Sequence, residues 1–111
     1  MIPAPGEQRL TWMFAPKSFL EAGVKVSGHS DDSASPYAPM MAIHALVNRV
    51  TSGGKPVGRS QRISVLDALG MYAISAAYES FDDHIPGSLE VGKFGDMVVL
   101  ESPCRGCAAV H

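Results

Sequence analysis

The fold is decided by residues 24–36, which read VKVSGHSDDSASP. Residues 24–28 contain two valines and end at a glycine, a composition typical of a short buried strand in a parallel sheet. A polar loop follows this strand directly. Because functional residues of α/β folds gather where strands end, the first candidates for chemistry are His29, Asp31 and Asp32.

Helical patterns lie on both sides of this strand. An apolar stripe that begins at a proline and stops at a glycine predicts a helix over 16–22, and residues 1–13 form an irregular lead-in. After the loop, apolar residues recur at steps of three and four and predict a helix over 37–51, with Asn48 and Arg49 on its polar side. A helix, a strand and a helix in this order indicate an α/β unit.

Short capping signals mark where the later helices begin. The pairs Ser35-Pro36 and Ala38-Pro39 compete as the start of the helix after the loop. A Ser-x-x-Asp capping pattern at Ser64 begins a further helix. The side of this further helix that we expect to pack on another element carries Leu66, Leu69, Tyr72, Ala73, Ala76, Ala77 and Phe81.

The last part of the sequence predicts a β-hairpin. Residues 88–91 and 97–101 have the composition of short strands and flank a Gly-Lys-Phe-Gly turn at 92–95. Two strands with one apolar face are marginal by themselves. The hairpin therefore needs a third strand as a partner.

The composition indicates one globular domain. The chain has 111 residues, of which 46% are hydrophobic and 18% are charged. A net charge of -2 offers no basic stripe for nucleic acid or for an anionic membrane surface. No apolar run approaches the about 20 residues of a membrane span, and the start lacks a basic region followed by an apolar block. We expect a cytoplasmic protein without nucleic-acid or membrane partners.

The two cysteines, Cys104 and Cys107, form a single Cys-x-x-Cys pair near the end of the chain. They could supply half of a zinc site together with His111, act as a redox pair, or have no special role. The third interpretation is favoured, since zinc needs four ligands and a redox pair normally opens a helix of a thioredoxin-like unit.

The order of these motifs resembles the C-terminal part of metal-dependent amidohydrolases, in particular the amidohydrolase-3 group that includes the YtcJ-like proteins. The resemblance covers residues 9–101 and includes LEAGVKV at 20–26, the pair Ser30-Asp31 and the run QRIS at 61–64. It ends in GSLEVGKFGDMVVL, which is similar to the family's GSLEPGKLADLVVL tail.

The resemblance implies an α/β fold class. It identifies the chain as a C-terminal fragment of a TIM-like (β/α)8 barrel, containing the last helix–strand–helix unit and an extra helix. A small β-hairpin of the accessory β-sandwich would follow. In this interpretation residues 1–85 belong to the barrel, residues 86–102 to the sandwich, and residues 103–111 form an irregular tail.

The same resemblance implies a role for Asp31. In the family this aspartate follows the last barrel strand, binds a divalent metal, usually Zn2+, and acts as the general base in the hydrolysis of carbon–nitrogen bonds of small-molecule amides. The family often has Gly-Ser-Asp-Ala-Pro here, so His29 and Asp32 are departures that either contact substrate or lie solvated in the loop. His44 sits inside a helix and is interpreted as a packing or surface residue.

The other metal ligands of the family, among them a His-x-His pair, do not occur in this sequence. We therefore expect the isolated chain to bind no zinc tightly and to be inactive. Its partner would be the missing N-terminal barrel portion or a self-associating copy. The alternative hypothesis is a small non-catalytic interaction or scaffold protein derived from the same fold.

Overall fold

Short helices make up the regular structure in a computed structural model of the chain, which describes residues 6–101. A 3-10 turn, Arg59–Gln61, lies between the third and fourth helices. Among the described residues, strand-like pairing is limited to an isolated antiparallel bridge between Val50 and Pro56. No helix in this part of the chain is both long and apolar enough to cross a membrane. The helices are α1 (Glu7–Trp12), α2 (Pro16–Glu21), α3 (Pro39–Asn48), α4 (Val65–Tyr72) and α5 (Ile74–Glu79).

Three of the predicted helices are confirmed, and local capping explains their limits. Helix α2 begins at Pro16, and α3 begins at Pro39 because the second of the two competing proline signals occupies its first turn. Helix α3 ends where Arg49 adopts a left-handed conformation with φ of 52°. The Ser64 hydroxyl accepts a hydrogen bond from the Asp67 backbone N–H at 3.0 Å, so the predicted cap of α4 is present.

Two predictions about the helices were wrong. Within the lead-in expected to be irregular, α1 forms, while residues 1–5 lie outside the described residues. The last predicted helix divides at Ala73, whose φ of -116° and ψ of -93° are not helical. The Ser64 cap sets where α4 begins, and the break at Ala73 separates it from α5. The face that packs inward therefore differs from the predicted face, and Leu66 and Phe81 are exposed. The buried residues of α4 and α5 are Val65, Ala68, Met71 and Ala77.

The predicted strands are not paired in the described part of the chain. Residues 24–28 are extended, but their backbone bonds to helical residues, from Val24 N–H to Phe19 and from Gly28 N–H to Met71. Residues 88–91 and 97–101 likewise form no ladder with any described residue. Strand pairing needs a neighbouring strand, and the described residues supply none. The predicted barrel unit and hairpin are therefore not formed as a sheet here.

A small core lies between α3 and α4. It consists of Ile43, Ile63, Ala68 and Met71, with Ala68 fully buried. Partly buried side chains from α2, the extended segment, α3 and α4 pack around it: Leu20, Val26, Leu46, Val47, Leu69 and Tyr72. Val26 brings the segment 24–28 onto this core, so the segment that leads to the candidate site rests on the same packing as the helices.

Arg49 is buried, with 9% of its surface exposed, although the sequence placed it on the polar side of a helix. Its Nη1 and Nη2 donate to the carbonyls of Phe14 at 2.9 Å and Met13 at 3.0 Å. Its Nε donates to the carbonyls of Val57 at 3.2 Å and Gly58 at 3.3 Å. The guanidinium thus joins the end of α1 to the loop after α3. Burial lowers the pKa of Arg49, but a guanidinium remains charged at neutral pH.

A second buried polar residue, Gln61, holds α2 in place. Its side-chain oxygen accepts from the Ser18 backbone N–H at 3.1 Å, and its side-chain nitrogen donates to the Ser18 hydroxyl at 2.7 Å. Ser18 is the third residue of α2, where an N–H lacks a partner within the helix. Gln61 therefore caps α2 from a distant part of the chain.

We predict that Arg49→Lys destabilises the protein by about 3 kcal/mol or more. An ammonium cannot reach the carbonyls of both segments, and each lost hydrogen bond to a charged group is worth about 1.5–3 kcal/mol. Urea unfolding followed by circular dichroism measures the change. Arg62→Lys is the matched control, because exposed Arg62 donates to a single carbonyl, that of Asn48. Equal urea midpoints for the two variants would contradict the role of Arg49.

Candidate functional site

The extended segment 24–28 is held against α4 and α5 by polar contacts along its length. The Gly28 N–H donates to the Met71 carbonyl at 3.2 Å, next to the end of α4. The Lys25 ammonium lies 3.6 Å from the centre of the Tyr78 ring, and the Ser27 hydroxyl donates to the Glu79 carboxylate. These contacts fix the direction in which the chain enters the polar loop.

Gly28, the last residue of the segment, allows a close approach to Tyr72. A Cβ at this position would overlap the Tyr72 ring, so any side chain there would displace the ring. Tyr72 packs against the core, and its burial raises the pKa of its phenol. The glycine that closes the predicted strand is therefore required by packing immediately before the candidate site.

The loop presents His29, Asp31 and Asp32 to solvent. Asp31 has a φ of 53°, a left-handed conformation that aspartate tolerates better than most residues, and its carbonyl accepts from the Ala34 N–H at 2.7 Å. The Ser35 hydroxyl donates to the Ser30 carbonyl and closes the loop. The loop is therefore a tight turn whose His29, Asp31 and Asp32 side chains are exposed.

These described residues do not by themselves fit a divalent metal. Within residues 6–101, no three His, Cys, Asp or Glu side chains gather closely enough to hold one. His44 is exposed on α3 and His84 is exposed after α5, so neither joins the loop as part of such a group. A zinc site takes four ligands, of which a catalytic site draws three from protein. The candidates Cys104, Cys107 and His111 lie outside the described residues.

Comparison with known proteins identifies the class to which this chain belongs. A family model described as "Amidohydrolase family" matches residues 1–110. The chain belongs to the amidohydrolase family, and its lineage is that of hydrolases. Members of this family generally use divalent metals, and the family implies that the chain derives from a TIM barrel.

Individual relatives agree with this assignment. The chain is 34% identical to the N-substituted formamide deformylase of Arthrobacter pascens over 96 residues, covering 86% of this chain and 18% of that protein. It is 36% identical to the probable imidazolonepropionase of Bos taurus over 90 residues, covering 78% and 18%. Identity to Protein LONG AFTER FAR-RED 3 of Arabidopsis thaliana is 34% over 87 residues, covering 78% and 15%.

The chain thus spans less than a fifth of the length of these relatives. No solved structure matches it. The resemblance inferred from the sequence motifs is confirmed at the level of the family and of hydrolytic descent. The roles of Asp31, His29 and Asp32, and the domain limits at residues 85 and 102, stay predictions.

We predict that Tyr72 makes stability fall at high pH. The folded protein holds the pKa of Tyr72 above its usual value of about 10, so the unfolded chain loses the phenol proton first. The stabilisation is therefore complete below about pH 10 and is lost as pH rises through the folded pKa. The free-energy difference between wild type and Tyr72→Phe, measured by urea unfolding, should stay constant up to about pH 9 and shrink above it. Tyr37→Phe, at an exposed position outside the core, is the matched control.

Proposed function

We propose that this chain is the C-terminal segment of a metal-dependent hydrolase that acts on carbon–nitrogen bonds of small-molecule, non-peptide amides. Asp31 is the proposed metal ligand and general base. The observation that carries the proposal is the family match over residues 1–110, in which the pair Ser30-Asp31 follows the extended segment 24–28. The relatives named as a deformylase and an imidazolonepropionase support chemistry at carbon–nitrogen bonds.

The surroundings of Asp31 suit a carboxylate that interacts with a metal, water or substrate rather than with other side chains of the described residues. The side chain is exposed, and among the described residues it has neither a hydrogen bond nor an ion pair. A free carboxylate can accept a proton from an attacking water and return it to a leaving nitrogen. The backbone turn at Asp31 presents this group at the tip of a loop that is anchored on α4.

His29 and Asp32 flank Asp31 and are proposed to contact substrate. Both are exposed and likewise have no polar partner among the described residues. An imidazole and a second carboxylate can hydrogen-bond the polar groups of an amide substrate. Their positions next to the proposed base support this role.

The metal is proposed to be Zn2+, and its other ligands would come from protein outside this chain. A metal of this kind supplies Lewis-acid polarisation and a more acidic bound water in hydrolases. Since the described residues do not assemble three ligands, the isolated chain is proposed to be inactive. The cytoplasmic location inferred from the sequence remains a prediction.

A chimera tests the role of Asp31. In it, this chain replaces the matching 96 residues of the N-substituted formamide deformylase of Arthrobacter pascens. We expect the chimera to hydrolyse N-substituted formamides, and Asp31→Asn to lower kcat/KM by about 10²–10⁴ because a positioned general base contributes about that factor. Zinc bound per purified chimera, measured by atomic absorption, should fall with the same substitution.

Asp82→Asn is the matched control for the chimera, since it removes an exposed carboxylate that lies after α5, outside the loop. We expect it to change kcat/KM less than tenfold and to leave the zinc content unchanged. Equal losses for the two variants would contradict the assignment of metal ligand and base to Asp31.

Zinc titration tests the proposed inactivity of the isolated chain. Calorimetry on the 111-residue protein should show no submicromolar zinc site that depends on Asp31. A submicromolar site that disappears with Asp31→Ala would contradict the proposal. One that disappears with Cys104→Ser would instead support zinc binding by the tail residues.

A non-catalytic interaction protein derived from the same fold is the second candidate. The observation that favours it is the large number of exposed apolar side chains, among them Trp12, Phe14, Tyr37 and Phe81. Such surface is typical of proteins that bind other chains. A monodisperse protein that unfolds cooperatively without metal would favour this candidate over an inactive hydrolase segment.

A further inference from the structure

The ring of Tyr72 forms the surface on which the backbone of Gly28 rests. A Cβ built on Gly28 would meet three carbons of this ring, with Cε2 at 2.4 Å, Cζ at 2.8 Å and Cδ2 at 3.1 Å. Carbon atoms in ordinary contact are about 3.5–4.0 Å apart. A single methyl group at residue 28 therefore requires the backbone and the ring to separate by about 1 Å.

Tyr72 is a firm support because it belongs to the packing of the core. It is the last residue of α4, and its side chain packs against the buried cluster between α3 and α4. Protein interiors are close-packed, so a side chain that takes part in them has little room to move aside. The backbone beside the ring is held as well, since the Gly28 N–H donates to the Met71 carbonyl at 3.2 Å.

The loop that carries Asp31 begins directly after Gly28 and is closed by its own hydrogen bonds. The Ala34 N–H donates to the Asp31 carbonyl at 2.7 Å, and the Ser35 hydroxyl donates to the Ser30 carbonyl. A turn closed in this way moves as a unit when the residue before it moves. The position of Gly28 on the aromatic ring therefore sets where the loop starts, and with it the location of the Asp31 carboxylate.

We propose that Tyr72 is a positioning residue for the hydrolytic reaction, because its ring fixes Gly28 on α4 and thereby places Asp31. This role rests on the proposed function of Asp31 as metal ligand and general base. A catalytic group must lie within about 0.5 Å of its productive position, and a misplacement of about 1 Å can cost about 10²-fold in rate. The separation that a methyl group at residue 28 imposes is of this size.

Amide hydrogen exchange on the 111-residue chain tests whether the ring positions the segment. Gly28→Ala should lower the protection factor of the residue 28 amide by about tenfold or more, because the methyl group pushes this N–H away from the Met71 carbonyl. Adding Tyr72→Leu, which removes the ring, should restore the protection. Gly70→Ala is the matched control, since a Cβ at that position of α4 meets nothing within 4 Å.

The deformylase chimera measures the consequence for catalysis. We expect Gly28→Ala to lower kcat/KM by about 10²-fold, and the double variant with Tyr72→Leu to recover about tenfold or more of this loss. Tyr72→Phe keeps the ring and should retain the activity, whereas Gly70→Ala should have no effect. Activity is measured where circular dichroism shows that every variant is folded, so that a change in stability alone does not alter it.

The possible results separate the positioning role from the proposed function. A loss of activity with Asp31→Asn but not with Gly28→Ala would overturn the role of Tyr72 and leave the assignment of Asp31 intact. Activity that survives Asp31→Asn would overturn both. An equal loss with Tyr72→Phe and Gly28→Ala would assign the effect to the phenol hydroxyl and overturn positioning by the ring. An unchanged protection factor in Gly28→Ala, or no recovery in the double variant, would also overturn it.

Discussion

A buried cation whose side-chain hydrogen bonds go to backbone carbonyls organises the helical part of this protein. The Arg49 guanidinium receives no carboxylate partner from the described residues, and its hydrogen bonds go to carbonyls after α1 and after α3. These carbonyls belong to residues 13–14, which follow α1, and to residues 57–58, in the loop after α3. The planar donor group therefore joins two segments that are distant in the sequence.

The candidate site depends indirectly on this arrangement of the helices. Helices α3 and α4 enclose the core on which Val26 rests, and the backbone bond from Gly28 to Met71 sets where the polar loop begins. Asp31 then extends into solvent from a tight turn, without a partner among the described residues. The scaffold thus holds the loop that carries Asp31 in a fixed position.

Sequence analysis predicted features that are encoded locally and missed those that need distant residues. The Ser64 cap and the proline that begins α2 act within a few residues, so their helices were predicted correctly. Arg49 was assigned to a polar helix face, because a local pattern cannot show contacts with distant residues. The carbonyls that surround its side chain belong to residues 13–14 and 57–58. Strand composition at 24–28 and 97–101 was recognised, yet a ladder also needs a neighbour. Asp31 was selected as the metal ligand because it matches the family motif. The described residues show no cluster of possible metal ligands around it that could have supported the choice independently.

The capping of α2 by Gln61 bears on the order in which the chain folds. A six-residue helix is too short to persist alone in water, and the group that completes its first turn lies 43 residues away. The first turn of helix α4, in contrast, is completed by a cap only three residues from its partner. Closing a long loop costs entropy before the contact is gained. Helix α2 should therefore be acquired late, after α3 and α4 have met, and its presence reports that the chain has completed its long-range contacts.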